Sequence, residues 1–266
     1  MNYLNELENR SIYIIREAYS RFRHIALLWS IGKDSTTLLW IARKAFFGEI
    51  PFPIIHIDTG FKFPEIYRFR EEYSRKWKLN LVISKNEKAL AEGMNPKVSK
   101  FECCQALKTE ALKLTIKEYH FKALLLAIRR DEHGIRAKER YFSPRDIDFK
   151  WDYRNQPAEL WDLYTSKLKE EEHVRIHPML HWTELDIWKY IRREKIPIVD
   201  LYFAHKGKRY RSIGCVPCCA PISSKASRVD AIIKELEKTK IAERAGRAQD
   251  KEDTYTMQKL RSLGYM

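Results

Sequence analysis

Long hydrophobic runs are missing from this 266-residue chain. Leu124-Leu125-Leu126-Ala127-Ile128 is strand-length and far too short to span a bilayer. The opening Met1-Asn2-Tyr3-Leu4-Asn5-Glu6 lacks the basic-then-apolar order of a secretory leader. A soluble, cytoplasmic protein with no membrane partner is therefore expected. Internal repeats and low-complexity linkers are also absent. Cysteine is scarce, at five residues, and in a reducing cytosol these point to metal binding, catalysis or burial rather than disulfides. Acidic residues are missing from 206 to 228, where Lys206, Lys208, Arg209, Arg211, Lys225 and Arg228 lie. With a net charge of +14 and a pI near 9.5, this reads either as a solvated Lys/Arg-rich surface or as the mark of an anionic partner, nucleic acid or a highly charged substrate. A Walker A loop is excluded, because its Gly-x-x-x-x-Gly-Lys-Ser/Thr spacing does not occur.

What is present is a strand, a tight polar turn and a helix start. Ile25-Ala26-Leu27-Leu28-Trp29 leads into Ser30-Ile31-Gly32-Lys33-Asp34-Ser35-Thr36-Thr37, and Leu38-Leu39-Trp40-Ile41-Ala42 follows. Such a turn aims backbone N–H groups and the positive end of a helix dipole at one spot. Gly32 permits close approach, Ser30 and Ser35 add hydroxyls, and Lys33 adds a cation. The combination suits a polyphosphate.

The hydrophobic share, 44%, is enough for one sizeable core with an appendage. Periodicity predicts helices over 1–23, from the turn to about Phe47, over Glu65–Trp77, Cys104–Tyr119 and 229–245, with one opening at Thr183 as N-cap. Strands are predicted over 25–29, 51–57, Leu79–Ile83 and Phe121–Ile128. The alternation implies an α/β fold with a doubly wound, mostly parallel sheet and a site at the carboxyl ends of its strands. Residues 130–175 read as long, partly ordered loops over that site, and 246–266 as a polar tail. The expected division is a nucleotide-binding domain over 1–200, with a cysteine-containing loop, helix and tail over 201–266 packed on it.

The turn resembles the PP-loop of ATP pyrophosphatases, usually Ser-Gly-Gly-Lys-Asp-Ser, with Ile31 in place of the first Gly. His56-Ile57-Asp58-Thr59-Gly60 resembles the second-strand motif of the sulfonucleotide (PAPS reductase-like) branch of that family. Arg129-Arg130-Asp131-Glu132 and Arg136-Ala137-Lys138-Glu139-Arg140 resemble its arginine segments, and Pro178 to Trp188 its Trp-Thr…Asp-Ile-Trp signature. The tail Glu243-Arg244-Ala245-Gly246-Arg247-Ala248, closing on Gly264-Tyr265, is similar to that of the small catalytic subunits of bacterial two-subunit sulfate adenylyltransferases.

The resemblance implies an adenine nucleotide α-hydrolase-like fold, ATP with Mg2+, and cleavage between the α- and β-phosphates with AMP passing to an oxyanion. Lys33, Arg129 and Arg130 would then act in catalysis. Ser30, Gly32, Lys33, Asp34, Ser35, Asp58 and Arg136 would hold the nucleotide. Asp34 or Asp58 would bind Mg2+ or a nucleotide hydroxyl, although each alone also suits a cap or a turn. Sulfate needs no general base at neutral pH, so His24, His56 and His133 are read as packing or hydrogen-bonding residues.

Cys103-Cys104 and the distant Cys215-Val216-Pro217-Cys218 resemble the ligand pattern of a [4Fe–4S] cluster in adenylylsulfate reductases. Zinc and plainly buried thiols are the alternatives. Those reductases also require a nucleophilic cysteine in the tail, and none follows Cys219. Two acceptors stay open. Sulfate implies a GTPase partner subunit, and the stretch from Phe203 to Ile213 is short for that type of subunit. Nucleic-acid phosphate, activated for DNA phosphorothioation or tRNA thiolation, implies a cysteine desulfurase and draws on the cysteines and the basic charge. Either is compatible with a homodimer.

Overall fold

The computed structural model describes residues 2–97, 99–134, 136–164, 172–246, 260 and 263–264. Helix α1 (Tyr3–Arg21) starts where the Asn2 side chain accepts the N–H of Leu4 at 3.1 Å, and it buries Leu7, Ile14, Ile15 and Ala18 on one face. Then follow β1 (Ile25–Leu28), α2 (Lys33–Ala45), β2 (Ile54–Ile57), α3 (Pro64–Lys76), β3 (Leu81–Ser84) and α4 (Glu87–Ala91). Next come α5 (Lys100–Cys104), a π-helical turn Gln105–Glu110, α6 (Ala111–Glu118), β4 (Ala123–Leu125), β5 (Phe142–Arg145) and β6 (His173–Ile176). The chain continues through α7 (Glu184–Glu194), the short strands β7 (Lys208–Arg209) and β8 (Ile222–Ser223), and α8 (Val229–Leu236).

The main sheet runs β3-β2-β1-β4-β6-β5, parallel throughout except for the antiparallel β5–β6 pair. Leu27 on β1 stands opposite Ile54 on β2 and Leu125 on β4. β1, β2, β4 and β6 are buried along their whole length, as expected of parallel strands covered by helices on both faces. The chain leaves β1 for β2 and β3 on one side and returns to β4 on the other. The carboxyl ends of β1 and β4 therefore flank the crevice at the topological switch point, where α/β sheets bind ligands. Among the described residues no helix is long and apolar enough to cross a membrane.

Several expectations are corrected. The stretch 130–175 is more than loop, because it supplies β5 and β6. The β6 sequence His173-Val174-Arg175-Ile176 is wholly buried yet half polar, so its hydrophobicity did not mark it. β5 carries Pro144, which belongs on a sheet edge, and that is where β5 lies. The helix predicted from Cys104 begins at Lys100, capped by the Ser99 hydroxyl, and passes through the π-helical turn. α8 ends at Leu236, because Glu237-Lys238-Thr239-Lys240 offers no apolar side chain to bury. The tail is not polar throughout: Leu260 is fully buried against Cys104, and the Gly264 carbonyl accepts from Arg175 Nη2 at 2.5 Å. Arg247, Ala248 and Tyr265 of the tail signature lie outside the described residues.

Candidate active site

The turn after β1 packs tightly. Ser30 Oγ and Ser35 Oγ are 3.0 Å apart, and Ser35 Oγ also donates to the Gly32 carbonyl at 3.1 Å. Trp29 Nε1 donates to Thr36 Oγ1 at 3.1 Å, fastening the end of the strand to the first turn of α2. A Cβ on Gly32 would meet Ser30 Oγ at 3.3 Å and the Tyr202 hydroxyl at 3.5 Å, so glycine keeps this approach open. Ile31 has φ +65°. That left-handed conformation is costly for a β-branched residue and explains why relatives of this motif usually place glycine there. Ile31 is nonetheless buried in the core.

Lys33, at the first position of α2, is buried. Its backbone N–H donates to the Tyr202 hydroxyl at 2.9 Å, and its Nζ donates to Asp34 Oδ2 at 3.0 Å and to Glu243 Oε1. Arg129, which follows β4, is also fully buried. Its Nη1 donates to Asp34, its Nη2 to Glu243 Oε2 and its Nε to Asp131 Oδ1 at 3.0 Å. Burial acts to lower its pKa, but Glu243 and Asp131 more than offset this and hold the guanidinium firmly charged. Glu243 itself is kept below the ordinary carboxylate range, since Arg129 and Lys33 outweigh its burial.

A second layer surrounds this pair. Glu132 accepts from Arg136 and, at 3.1 Å, from Arg244, and these cations overcome burial and hold it ionised. Arg211 forks onto Glu184 with contacts of 2.7 and 3.0 Å. Asp131 Oδ2 accepts the Glu184 N–H at 2.8 Å. Burial and the neighbouring Glu243 raise the pKa of Glu184. Five cations (Lys33, Arg129, Arg136, Arg211, Arg244) thus interlock with five carboxylates (Asp34, Asp131, Glu132, Glu184, Glu243).

The crevice beside this network has two characters. Leu28, Ile55, Ile57, Leu126, Ile128 and Ile213 give an apolar wall, while Ser30, Gly32, Lys33, Asp34, Ser35, Lys62, Lys108, Glu132, Arg136 and Arg244 give a polar one. An apolar wall facing a few convergent polar groups is the usual form of a small-molecule site.

The structure thus gathers Ser30, Gly32, Lys33, Asp34, Ser35 and Arg136 at the crevice, with Arg129 behind them. Arg130 turns elsewhere: Nη1 lies 3.1 Å from His181 Nε2, and the guanidinium sits over the Tyr141 ring. Asp58 does not line the crevice. It accepts from the Gly60 N–H at 2.9 Å and the Tyr67 hydroxyl at 2.8 Å, and Arg70 lies 3.7 Å away. Burial opposes its ionisation, but the Gly60 and Tyr67 hydrogen bonds more than compensate and lower its pKa. Of the two aspartates considered for Mg2+, only Asp34 is at the crevice. His56 donates Nδ1–H to the Trp29 carbonyl at 2.9 Å, and burial, aided by Lys62, drops its pKa to about 3. That is a neutral packing histidine.

Cys103, Cys104, Cys215 and Cys218 are all buried, with no disulfide among them. Burial and the neighbouring Cys104 and Cys215 push the Cys103 thiol up to about 12, against Lys108, with Cys218 adding to the rise. The α5 pair and the 215–218 loop are therefore within electrostatic range of each other. Thr59 Oγ1 lies 3.2 Å from Cys215 Sγ, and Cys219 Sγ accepts the Gly214 N–H at 3.0 Å. Lys62 bridges Cys215, and Lys62, Lys108 and Gly214 all line the crevice, so the thiols flank it. The donor chemistry fits a four-thiolate site. Among the described residues, however, no three His, Cys, Asp or Glu side chains are arranged to hold a metal ion.

Sequence reasoning missed Tyr202 and Lys62 as lining residues and treated Glu243 and Arg244 only as part of a tail signature. Lys62 follows a quoted motif by two residues, a signal that could have found it. Tyr202 sits in an apolar stretch with no such mark.

A family profile described as the phosphoadenosine phosphosulfate reductase domain matches residues 24–221. Sulfate adenylyltransferase subunit 2 of Stutzerimonas stutzeri is 40% identical over 300 aligned residues, covering 100% of this chain and 98% of the relative. The same-named protein of Rhizobium meliloti is 41% identical, covering 99% and 93%. Alignments longer than the 266-residue chain mean that such relatives carry insertions which this chain lacks. Among solved structures, Candida glabrata FMN adenylyltransferase with FMN and the ATP analogue AMPCPP superimposes at a TM-score of 0.59 (20% identity, 82% of this chain, 65% of that one). Phosphoadenylyl-sulfate reductase of Candida auris gives 0.55 (16% identity, 82% and 97%). These two structures share the fold.

Proposed function

From the premise that this chain belongs to the phosphoadenosine phosphosulfate reductase domain family, and within it to the sulfate adenylyltransferase subunit 2 proteins, we propose that it transfers the adenylyl group of ATP to sulfate, releasing pyrophosphate. The observation that carries the reading is Lys33 at the switch-point crevice beside the serine-lined turn, with the buried Arg129 directly behind it, the two carried by the segments that follow the adjacent strands β1 and β4.

The chemistry demands that charge be stabilised on the departing pyrophosphate as the Pα–O bond to it breaks. Lys33 Nζ and the turn hydroxyls meet the β- and γ-phosphates, and the α2 N-terminus adds its dipole. Arg129, always charged, is held behind the turn by Asp34, Asp131 and Glu243, and in this reading it meets the α-phosphate and the sulfate by exchanging its Glu243 contact for them. The apolar wall of Ile55, Ile57, Leu126 and Ile213 takes the adenine face. Asp34 is the residue that would meet an Mg2+ arriving with the polyphosphate, which would neutralise part of its charge. A companion GTPase subunit supplies the drive for this uphill transfer in this reading, and the chain works in the cytoplasm.

We assign Cys103, Cys104, Cys215 and Cys218 to a [4Fe–4S] cluster beside the crevice. Supporting this are their shared burial and the influence of Cys104, Cys215 and Cys218 on the Cys103 thiol. The buried thiols flanking the crevice also favour a second reading, in which a nucleic-acid phosphate is adenylated ahead of sulfur insertion. One experiment separates the two: ATP–pyrophosphate exchange with sulfate, duplex DNA or tRNA as acceptor. Sulfate-dependent exchange without DNA affinity at moderate salt supports the first. Exchange that requires tRNA or DNA overturns it.

A further inference from the structure

The cations that line the crevice fall into two sets. Lys33, Arg136 and Arg244 belong to the interlocked network, where each meets a carboxylate. Lys62 and Lys108 are the charged lining residues outside that network, and both come from the thiol side. Lys62 lies in the loop between β2 and α3 and forms an antiparallel bridge with Cys215. The carbonyl of the preceding Phe61 accepts the Val216 N–H at 2.8 Å. The backbone at Lys62 is therefore fastened to the loop that carries the thiols. Lys108 is buried and stands near Cys103, whereas Lys62 is half-buried. Of the two, Lys62 is the cation that an anion entering from solvent meets.

Adenylyl transfer then dictates where the acceptor belongs. In the proposed reaction the pyrophosphate sits at the turn with Lys33. An acceptor oxygen forms its bond to the α-phosphorus while the bond to the bridging oxygen breaks, and that electron pair leaves with pyrophosphate. The attacking and leaving oxygens lie roughly in line, so the acceptor approaches from the side of the α-phosphate away from the turn. We infer that Lys62 is the acceptor-binding residue of this site, its ammonium holding the sulfate dianion on the thiol side of the crevice, across from Lys33. A compact point charge on a flexible stem suits a tetrahedral dianion that must be released once it is adenylylated. The Cys215 bridge gives the thiol loop a part in a reaction without electron transfer, because that loop sets where Lys62 stands.

The inference rests on the reading of the chain as a sulfate adenylyltransferase, and two experiments on the full chain separate the two. In sulfate-dependent ATP–pyrophosphate exchange, Lys62→Met should raise the KM for sulfate about tenfold, the scale of one charge-assisted hydrogen bond. The KM for ATP should stay within about twofold of the parent's, because the nucleotide keeps its own contacts. Lys62→Arg keeps the charge and should recover most of the sulfate affinity. A raised KM for ATP with an unaltered KM for sulfate overturns the assignment, as do equal defects in the two variants. The second experiment needs no variant. With α,β-methylene ATP, which cannot be cleaved at that bond, Lys62 should be open to amine acylation. Added sulfate at constant ionic strength should shield it, as read by peptide mass spectrometry. Labelling of Lys62 that ignores sulfate, in a parent whose exchange requires sulfate, overturns the inference alone. A parent whose exchange does not respond to sulfate overturns the adenylyltransferase reading and the inference together.

Discussion

The backbone N–H of Lys33 and the hydroxyl of Tyr202 are hydrogen-bonded at 2.9 Å, so a tyrosine oxygen sits where an oxygen of a bound phosphate would meet the turn. Replacing Tyr202 with Phe removes that acceptor from the ligand-free protein only. Urea unfolding should show a loss of about 1 kcal/mol without ligand. Saturating ATP should shrink the deficit, because a phosphate oxygen takes the amide instead. A deficit that grows with ATP places the hydroxyl in the bound state.

Arg129 meets Asp34, Asp131 and Glu243 through three different nitrogens. Lysine keeps the charge but lacks the fork. Arg129→Lys should lower ATP–pyrophosphate exchange by about a hundredfold, the scale of losing one positioned transition-state donor. A drop smaller than about threefold would remove Arg129 from the chemistry.

The buried His56 imidazole has a pKa near 3 in the fold against 6.5 when unfolded. Below pH 6.5 the unfolded chain binds a proton that the fold refuses, so stability falls as pH drops from 6.5 towards 3. Between pH 7 and pH 5 this single group removes about 2 kcal/mol. His173, lowered by burial and by Arg175, acts in the same direction. His56→Gln should reduce the pH 7-to-5 loss by about that amount, as read from urea midpoints. An unaltered loss means that His56 titrates normally.

At Ile31, backbone strain and side-chain packing oppose each other. In an ordinary core position glycine is worse than alanine. Here alanine keeps the left-handed strain and loses the packing, whereas glycine loses the packing and relieves about 1 kcal/mol or more of strain. Ile31→Gly should therefore be at least as stable as Ile31→Ala by thermal denaturation. The reverse order would mean that the turn is unstrained.

The proposed cluster predicts that anaerobic reconstitution gives a brown protein absorbing at about 400 nm with about four irons per chain. Cys218→Ser should abolish the colour. A colourless parent containing no iron excludes the cluster.

Much of this site was legible in the sequence because its signals are local. The turn, its serines and Lys33 lie within a few residues, and Thr183 is the N-cap expected, with Asp186 completing a capping box. What could not be read depends on distant partners. β6 buries His173 and Arg175 because Phe149 and the Gly264 carbonyl meet them, and neither lies near them in sequence. Nothing in Glu243-Arg244-Ala245-Gly246 announces a return to Lys33. Arg130 follows Arg129 directly, yet beyond the end of β4 the two side chains enter different neighbourhoods, Arg130 at Tyr141 and His181 and Arg129 at Asp34.

Pro144 on β5 gives the sheet a directional limit to growth. Lacking an N–H, it cannot complete a ladder with an incoming strand, so this end of the sheet resists templating by another chain. Substituting Pro144 with a β-branched residue would restore that donor and leave a continuous edge. The consequence would be felt in colloidal behaviour at high concentration, not in the chemistry of the crevice.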